Sequence, residues 1–206
     1  MADTYKSYNE MAAVEGPGAF RIRYVHYGYL GLIVLAIHGG GIEGGTSEIA
    51  EEAAHGIYSL YAFEGRKASG NSKLHLTSTV FDAPYARDIV RQHDKTLSVH
   101  GYEGEEGVKH TLIGGTDRLA VQRMYEFLTD FGFSASIVEE GGHLGGTDPD
   151  NITNLGVTGC SVQLEISLAQ RKAMFDRFTL DGRPQSKNAE FDQYLQAIHM
   201  FSETFE

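Results

Sequence analysis

The segment Ile37-His38-Gly39-Gly40-Gly41-Ile42-Glu43-Gly44-Gly45-Thr46 puts an imidazole and a carboxylate five positions apart on a glycine-rich turn. A histidine and a glutamate at that spacing can share a metal ion if the backbone between them curls, and glycine reaches positive φ at little cost. Two further groups fit the same description. His100 precedes Gly101 at the end of the short strand-like segment 96–101, and Glu165 sits near the carboxyl end of 162–166. Two histidines and one glutamate form a common catalytic zinc set that leaves its fourth position to water. A remaining glutamate nearby can take the proton from that water.

These groups need strands to hold them. Residues 31–37 form a continuous apolar run, as expected of a strand buried on both faces. The His38–Glu43 turn follows it, with a helix expected from Ser47, capped by Thr46. Further strands are expected at 20–24 (an edge), 57–63, 96–101, 110–113, 133–138 and 162–166. Residues 74–78 alternate apolar and polar. Helices are expected at 82–92, 117–131, 167–178 and 188–201, with Pro84 near one start and Ser167 capping another. Strands alternating with helices predict an α/β fold whose sheet is mixed but mostly parallel, flanked by helices. No linker or repeat divides the chain, so one domain over residues 1–206 is expected. Ligands in such sheets gather at the carboxyl ends of the strands, where all these candidate residues fall.

Bulk properties narrow the partners. With 17 Lys and Arg against 28 Asp and Glu, the formal net charge of the 206 residues is −11. Nucleic acid is therefore not an expected partner, since phosphate binding needs a basic surface. No apolar stretch is long enough to span a bilayer, and no membrane partner is expected. Residues 1–15 are polar without a signal-peptide pattern, and Cys160 is the sole cysteine; both suit synthesis in a reducing cytosol.

Two rival chemistries fit parts of this pattern. His-Gly-Gly-Gly also serves esterases as an oxyanion loop, but those enzymes need a Gly-x-Ser-x-Gly elbow, which this chain lacks. Cys160 as a nucleophile is disfavoured by its place beside an apolar strand. A tight turn around His38 and a surface ion pair for Glu165 are the plain structural readings. His75 alternates away from Leu74 and Leu76 and faces either a cleft or a structural hydrogen bond. Arg66, Lys73 and Lys109 lie in loops where a carboxylate or oxyanion could be held, although solvated surface charge is the default.

The chain resembles the zinc-dependent poly-γ-glutamate hydrolases of Bacillus phages and their bacterial relatives. The resemblance is carried by His38 to Thr46, Ser69 to Thr79, Ser98 to Tyr102, Thr111 to Gly115, Thr147 to Ile152 and Gly159 to Ser167. It implies a fold similar to the zinc carboxypeptidases, zinc held by His38, Glu43 and His100, and Glu165 as general base. The implied reaction is hydrolysis of the γ-amide bonds of poly-γ-glutamate, which for a phage removes host capsule outside the cell after lysis. A γ-glutamyl peptidase or amidase acting on wall peptides, and a capsule-binding protein without activity, are the alternatives. The resemblance also places Asn154 and Arg171 at family positions. One departure stands out: Leu155 follows Asn154 where the family often has arginine, so substrate carboxylates must be met elsewhere.

Overall fold

The computed structural model describes residues 3–27, 31–54 and 56–205. Seven strands form one sheet: β1 (Phe20–Val25), β2 (Leu32–Gly40), β3 (Ser59–Gly65), β4 (Lys95–Tyr102), β5 (Thr111–Gly114), β6 (Ala135–Ile137) and β7 (Cys160–Ser167). Their order is β1-β3-β2-β4-β7-β5-β6. The β2/β3, β2/β4, β4/β7 and β5/β6 pairs are parallel, while β1/β3 and β5/β7 are antiparallel. The sheet is thus mixed and mostly parallel, and β1 is the edge strand its alternation predicted.

The helices are α1 (Tyr8–Glu15), α2 (Thr46–Ala54), α3 (Ala86–Val90), α4 (Arg118–Asp130), α5 (Leu168–Ala173) and α6 (Ala189–Phe205). Side chains alternate across a strand, so each strand feeds two different layers. On one face Leu32, Val34, Ala36, Leu97, Val99, Val162, Leu164 and Ile166 pack with α2, α4 and α6. On the other face Ile33, Leu35, Ile37, Tyr61 and Phe63 meet Tyr5, Met11, Leu74, Leu76 and Phe81. That second apolar layer stops at β2. Beyond it, on β4 and β7, the same face carries Thr96, Ser98 and His100 beside Ser161, Gln163 and Glu165, all buried. One half of the sheet therefore has an apolar floor and the other a polar one, and the boundary lies at the end of β2.

Local details depart from the sequence expectations where tertiary contacts intervene. The Thr46 hydroxyl does not cap α2; it donates to the Glu43 carbonyl at 2.9 Å and braces the preceding turn. The far end expected for this helix, His55, lies outside the described residues. Residues 74–78 form no strand, because Asn71–Leu74 is a 3-10 turn and the chain then runs extended over the sheet. Helix α3 is shorter than expected; the Asp82 carboxylate accepts from the Tyr8 N–H instead of capping it. Helix α5 ends at Ala173 rather than near 178, although Ser167 does cap it by accepting from the Gln170 N–H. Helix α1, unforeseen, is anchored by fully buried Met11.

Phe201 of α6 is completely buried and stacks at 5.0 Å from Phe205. Phe201→Ala is expected to cost about 3–5 kcal/mol, read as a lower urea midpoint. Because it lies in the helical layer away from the polar floor, the substitution should leave activity per folded molecule unchanged.

Candidate active site

The His38–Glu43 turn is closed by its own main chain: the Glu43 N–H donates to the His38 carbonyl at 2.9 Å. Gly40 adopts φ +65°, and a Cβ there would meet the Gly65 carbonyl at 2.4 Å, so only glycine fits. The turn points Glu43 back across the ends of β2 and β4. One of its oxygens lies 3.0 Å from His38 Nδ1, and the other accepts the Gly101 N–H at 2.8 Å. His100 Nδ1 lies 3.1 Å from His38 Nδ1 and 3.8 Å from Glu43. His38, Glu43 and His100 are all buried.

His38 Nε2 meets the Leu76 carbonyl at 2.9 Å. A carbonyl only accepts, so Nε2 carries the hydrogen and Nδ1 turns a bare lone pair toward Glu43 and His100. The Nδ1 atoms of two imidazoles and a carboxylate thus converge in a buried space, an arrangement that a bound cation would satisfy. A carbonyl fixing the tautomer of a metal-facing histidine is the usual outer support of a metal ligand. His75, stacked on His38 with ring centroids 4.0 Å apart, brings its Nε2 within 4.0 Å of Glu43. The ligand atoms of His38, Glu43 and His75 lie within 4.8 Å of one another, a possible metal site in their own right.

Glu165 stands beside His100, its register partner across the β4/β7 pair. Gln163 Nε2 donates to one of its oxygens at 3.0 Å. The other has no protein hydrogen bond among the described residues. Burial raises the Glu165 carboxyl well above the ordinary carboxylate range, and the Glu43 charge adds to this against the pull of Arg171 and Gln163. For Glu43 burial also acts upward, but His38 and His100 outweigh it and hold the group below its ordinary value. Two carboxylates in one cleft are thereby pushed apart, one kept ionised and one ready to hold a proton.

The remaining expected residues disperse. Arg171 is buried, and its nitrogens donate to the carbonyls of Ile166, Gly44 and Tyr102, tying together the His38–Glu43 turn and the ends of β4 and β7. It supports the site rather than offering a charge to ligands. Asn154 is spent on its own loop, donating to Gly146 and Asp148 carbonyls and accepting from the Ser161 hydroxyl. Leu155 packs against the second apolar layer. Lys109 pairs with Glu190 at 3.0 Å. Arg66 is exposed beside a small charged cavity that also involves Arg21, Glu48 and Glu64. Lys73 is exposed on the 3-10 turn just before His75.

With this geometry in hand, the chain was compared with known proteins. The profile of the poly-gamma-glutamate hydrolase family matches residues 5–197. This chain belongs to that family. Within the family's range, the SPbeta prophage-derived UPF0714 protein YoqZ of Bacillus subtilis (strain 168) is 46% identical over 200 residues, covering 97% of this chain and 72% of YoqZ. A solved bacteriophage poly-gamma-glutamate hydrolase superposes with a TM-score of 0.93 at 35% identity, covering 99% of this chain and 98% of that one. A zinc-free, apo structure of YndL gives a TM-score of 0.94 at 39% identity, with 98% of each chain covered. The poly-gamma-glutamate hydrolases are enzymes, and their fold is the carboxypeptidase-like α/β arrangement seen here. An N-formylglutamate amidohydrolase from Ralstonia eutropha JMP134, 10% identical with a TM-score of 0.52, shares the fold alone.

Several supports escaped the sequence reading. Arg183, remote in sequence, is buried and donates to Glu48 at 3.0 Å and to the Gly40 carbonyl at 2.5 Å. No spacing signal marks it, because its partners lie over a hundred residues away. Arg183→Met would leave the Glu48 carboxylate buried without its partner, at a cost of roughly 3–5 kcal/mol in a urea titration. Adding Glu48→Met should recover part of that loss.

Proposed function

We propose that this chain is a zinc-dependent hydrolase of the γ-glutamyl amide bonds of poly-γ-glutamate, organised as one zinc hydrolase domain over residues 1–206. The observation that carries the reading is the buried convergence of His38 Nδ1, His100 Nδ1 and Glu43, with Glu165 alongside. His38, Glu43 and His100, the set the family resemblance implies, stand 3.0, 3.1 and 3.8 Å apart and would hold the zinc, and His75 Nε2 lies at the edge of the same group, 4.0 Å from Glu43. When bound, zinc supplies a Lewis acid that brings a water's pKa toward ~7 and polarises the scissile carbonyl.

The chain's own residues do the rest. Glu165, through its unpaired oxygen, accepts a proton as water attacks the γ-carbonyl carbon. It then returns that proton to the departing amine nitrogen. Burial raises its affinity for a proton, which suits a carboxyl that must hold one between the two transfers. Gln163 fixes the carboxyl by holding its other oxygen. Each repeat of the substrate carries a free α-carboxylate, and exposed Lys73 and Arg66 are the remaining cationic candidates to meet it. Among the described residues no helix is long and apolar enough to cross a membrane. Synthesis in the cytosol and action on capsule outside the cell after lysis complete the proposal.

Incubation with purified poly-γ-glutamate, followed by polymer-length analysis, tests it directly. Shortening that stops on chelation and returns with zinc is expected; cleavage of wall fragments but not of polymer would point to the γ-glutamyl peptidase alternative. Glu165→Gln should lose at least ~100-fold in kcat while still binding one zinc per chain. Full activity in that variant would remove Glu165 from its role. Zinc titration of His100→Ala and His75→Ala separates the ligand sets: affinity should collapse in the first and persist in the second.

A further inference from the structure

The extended segment that carries His75 is met by the N-terminal end of the chain. Asp3 accepts from His75 Nδ1 at 2.7 Å with one oxygen and from the Thr77 N–H at 2.8 Å with the other. This end of the chain is itself anchored. Tyr5 is buried with its hydroxyl on Glu15, and the Tyr8 N–H donates to Asp82. An ionised carboxylate has no hydrogen to give, so the shared hydrogen belongs to the imidazole, on Nδ1. The opposite nitrogen, Nε2, then presents a lone pair. It has no hydrogen-bond partner among the described residues, and it stands 4.0 Å from Glu43, at the edge of the proposed zinc site. Stacking on His38 fixes the plane of the ring.

We propose that Asp3 is a positioning residue of the hydrolase site: it locks His75 as the Nδ1–H tautomer, so that Nε2 accepts the N–H of the scissile γ-amide and orients that bond for attack. This rests on the amide hydrolysis proposed above. The polar N-terminal segment thereby becomes part of the catalytic apparatus.

Asp3→Asn gives a sharp test, because Thr77 and His75 both press on the same side chain. The Thr77 N–H needs the one remaining oxygen, which leaves the NH2 group facing His75 Nδ1. That group donates, so the imidazole hydrogen must move to Nε2, where it opposes the substrate N–H. Long-range 15N–1H correlation on histidine-labelled, zinc-loaded protein reads the tautomer directly, with the His75 signals identified by their absence in His75→Gln. Wild type should carry the hydrogen on Nδ1 and Asp3→Asn on Nε2. With zinc content unchanged at one per chain, kcat toward the polymer should fall roughly 10- to 100-fold, the usual penalty for disturbing an outer support. On a γ-glutamyl ester, which has an acceptor oxygen and no N–H there, Asp3→Asn should turn over at least as fast as wild type. Hydrogen on Nε2 in wild type overturns the proposal, as does an equal penalty on ester and amide. Failure to cleave any γ-glutamyl bond would instead sink the hydrolase reading, while the tautomer measurement still decides the Asp3–His75 pairing.

Discussion

A buried carboxylate between two imidazoles is costly unless something positive occupies the space they share, and much of this structure is arranged around that problem. Glu43 gives up hydration and receives the Gly101 N–H, His38 and His100 in return. His38 in turn spends its second nitrogen on the Leu76 carbonyl. These groups come from three separate stretches of chain. The convergence exists only when the β2 turn, the end of β4 and the strap over residues 74–77 are all in register. Any cation held there would link folding to binding, because these groups meet nowhere but in the native state.

Two buried arginines carry the mechanical load. Arg171 donates to carbonyls from the ends of β4 and β7 and from the turn, and Arg183 grips the same turn at Gly40 while paired with Glu48. The planar, multi-donor guanidinium suits this task, since one side chain can satisfy several carbonyls that face inward from loops. The turn has glycine at most positions and little side-chain packing of its own, so its shape must be imposed from outside. The sheet supplies the remaining order. Its apolar layer ends at β2, and polar side chains on β4 and β7 continue the same face, so the site sits on a built surface rather than on mobile loops.

The strands, the major helices and the mixed, mostly parallel sheet were legible because their signals are local. Alternation marks β1, an unbroken apolar run marks β2, and a helical period with Asp117 at its start marks α4. The departures share one cause. Residues 74–78 have the alternation of a strand, yet they lie across the sheet and not within it, and Asp82 caps no helix because the Tyr8 N–H takes its carboxylate. Among the site candidates, His38, Glu43, His100 and Glu165 were legible as groups at strand ends, and the structure brings them together. Arg171 and Asn154 were legible through the family resemblance and Lys109 as a loop cation, while the partners of Arg171 and Lys109 are supplied by segments distant in sequence.

By itself, then, the amino-acid order determined the strand ends on which chemistry could be mounted, the residue types mounted there, and the family. Spacing along one strand and its turn is short-range information. Tertiary structure alone decided which nitrogen of each histidine faces the shared space, in which direction each carboxylate is shifted, and that Asp3 meets His75 and Arg183 meets Gly40. Those outcomes depend on hydrogen-bond partners and burial contributed by chain tens to more than a hundred residues away. No local pattern encodes them.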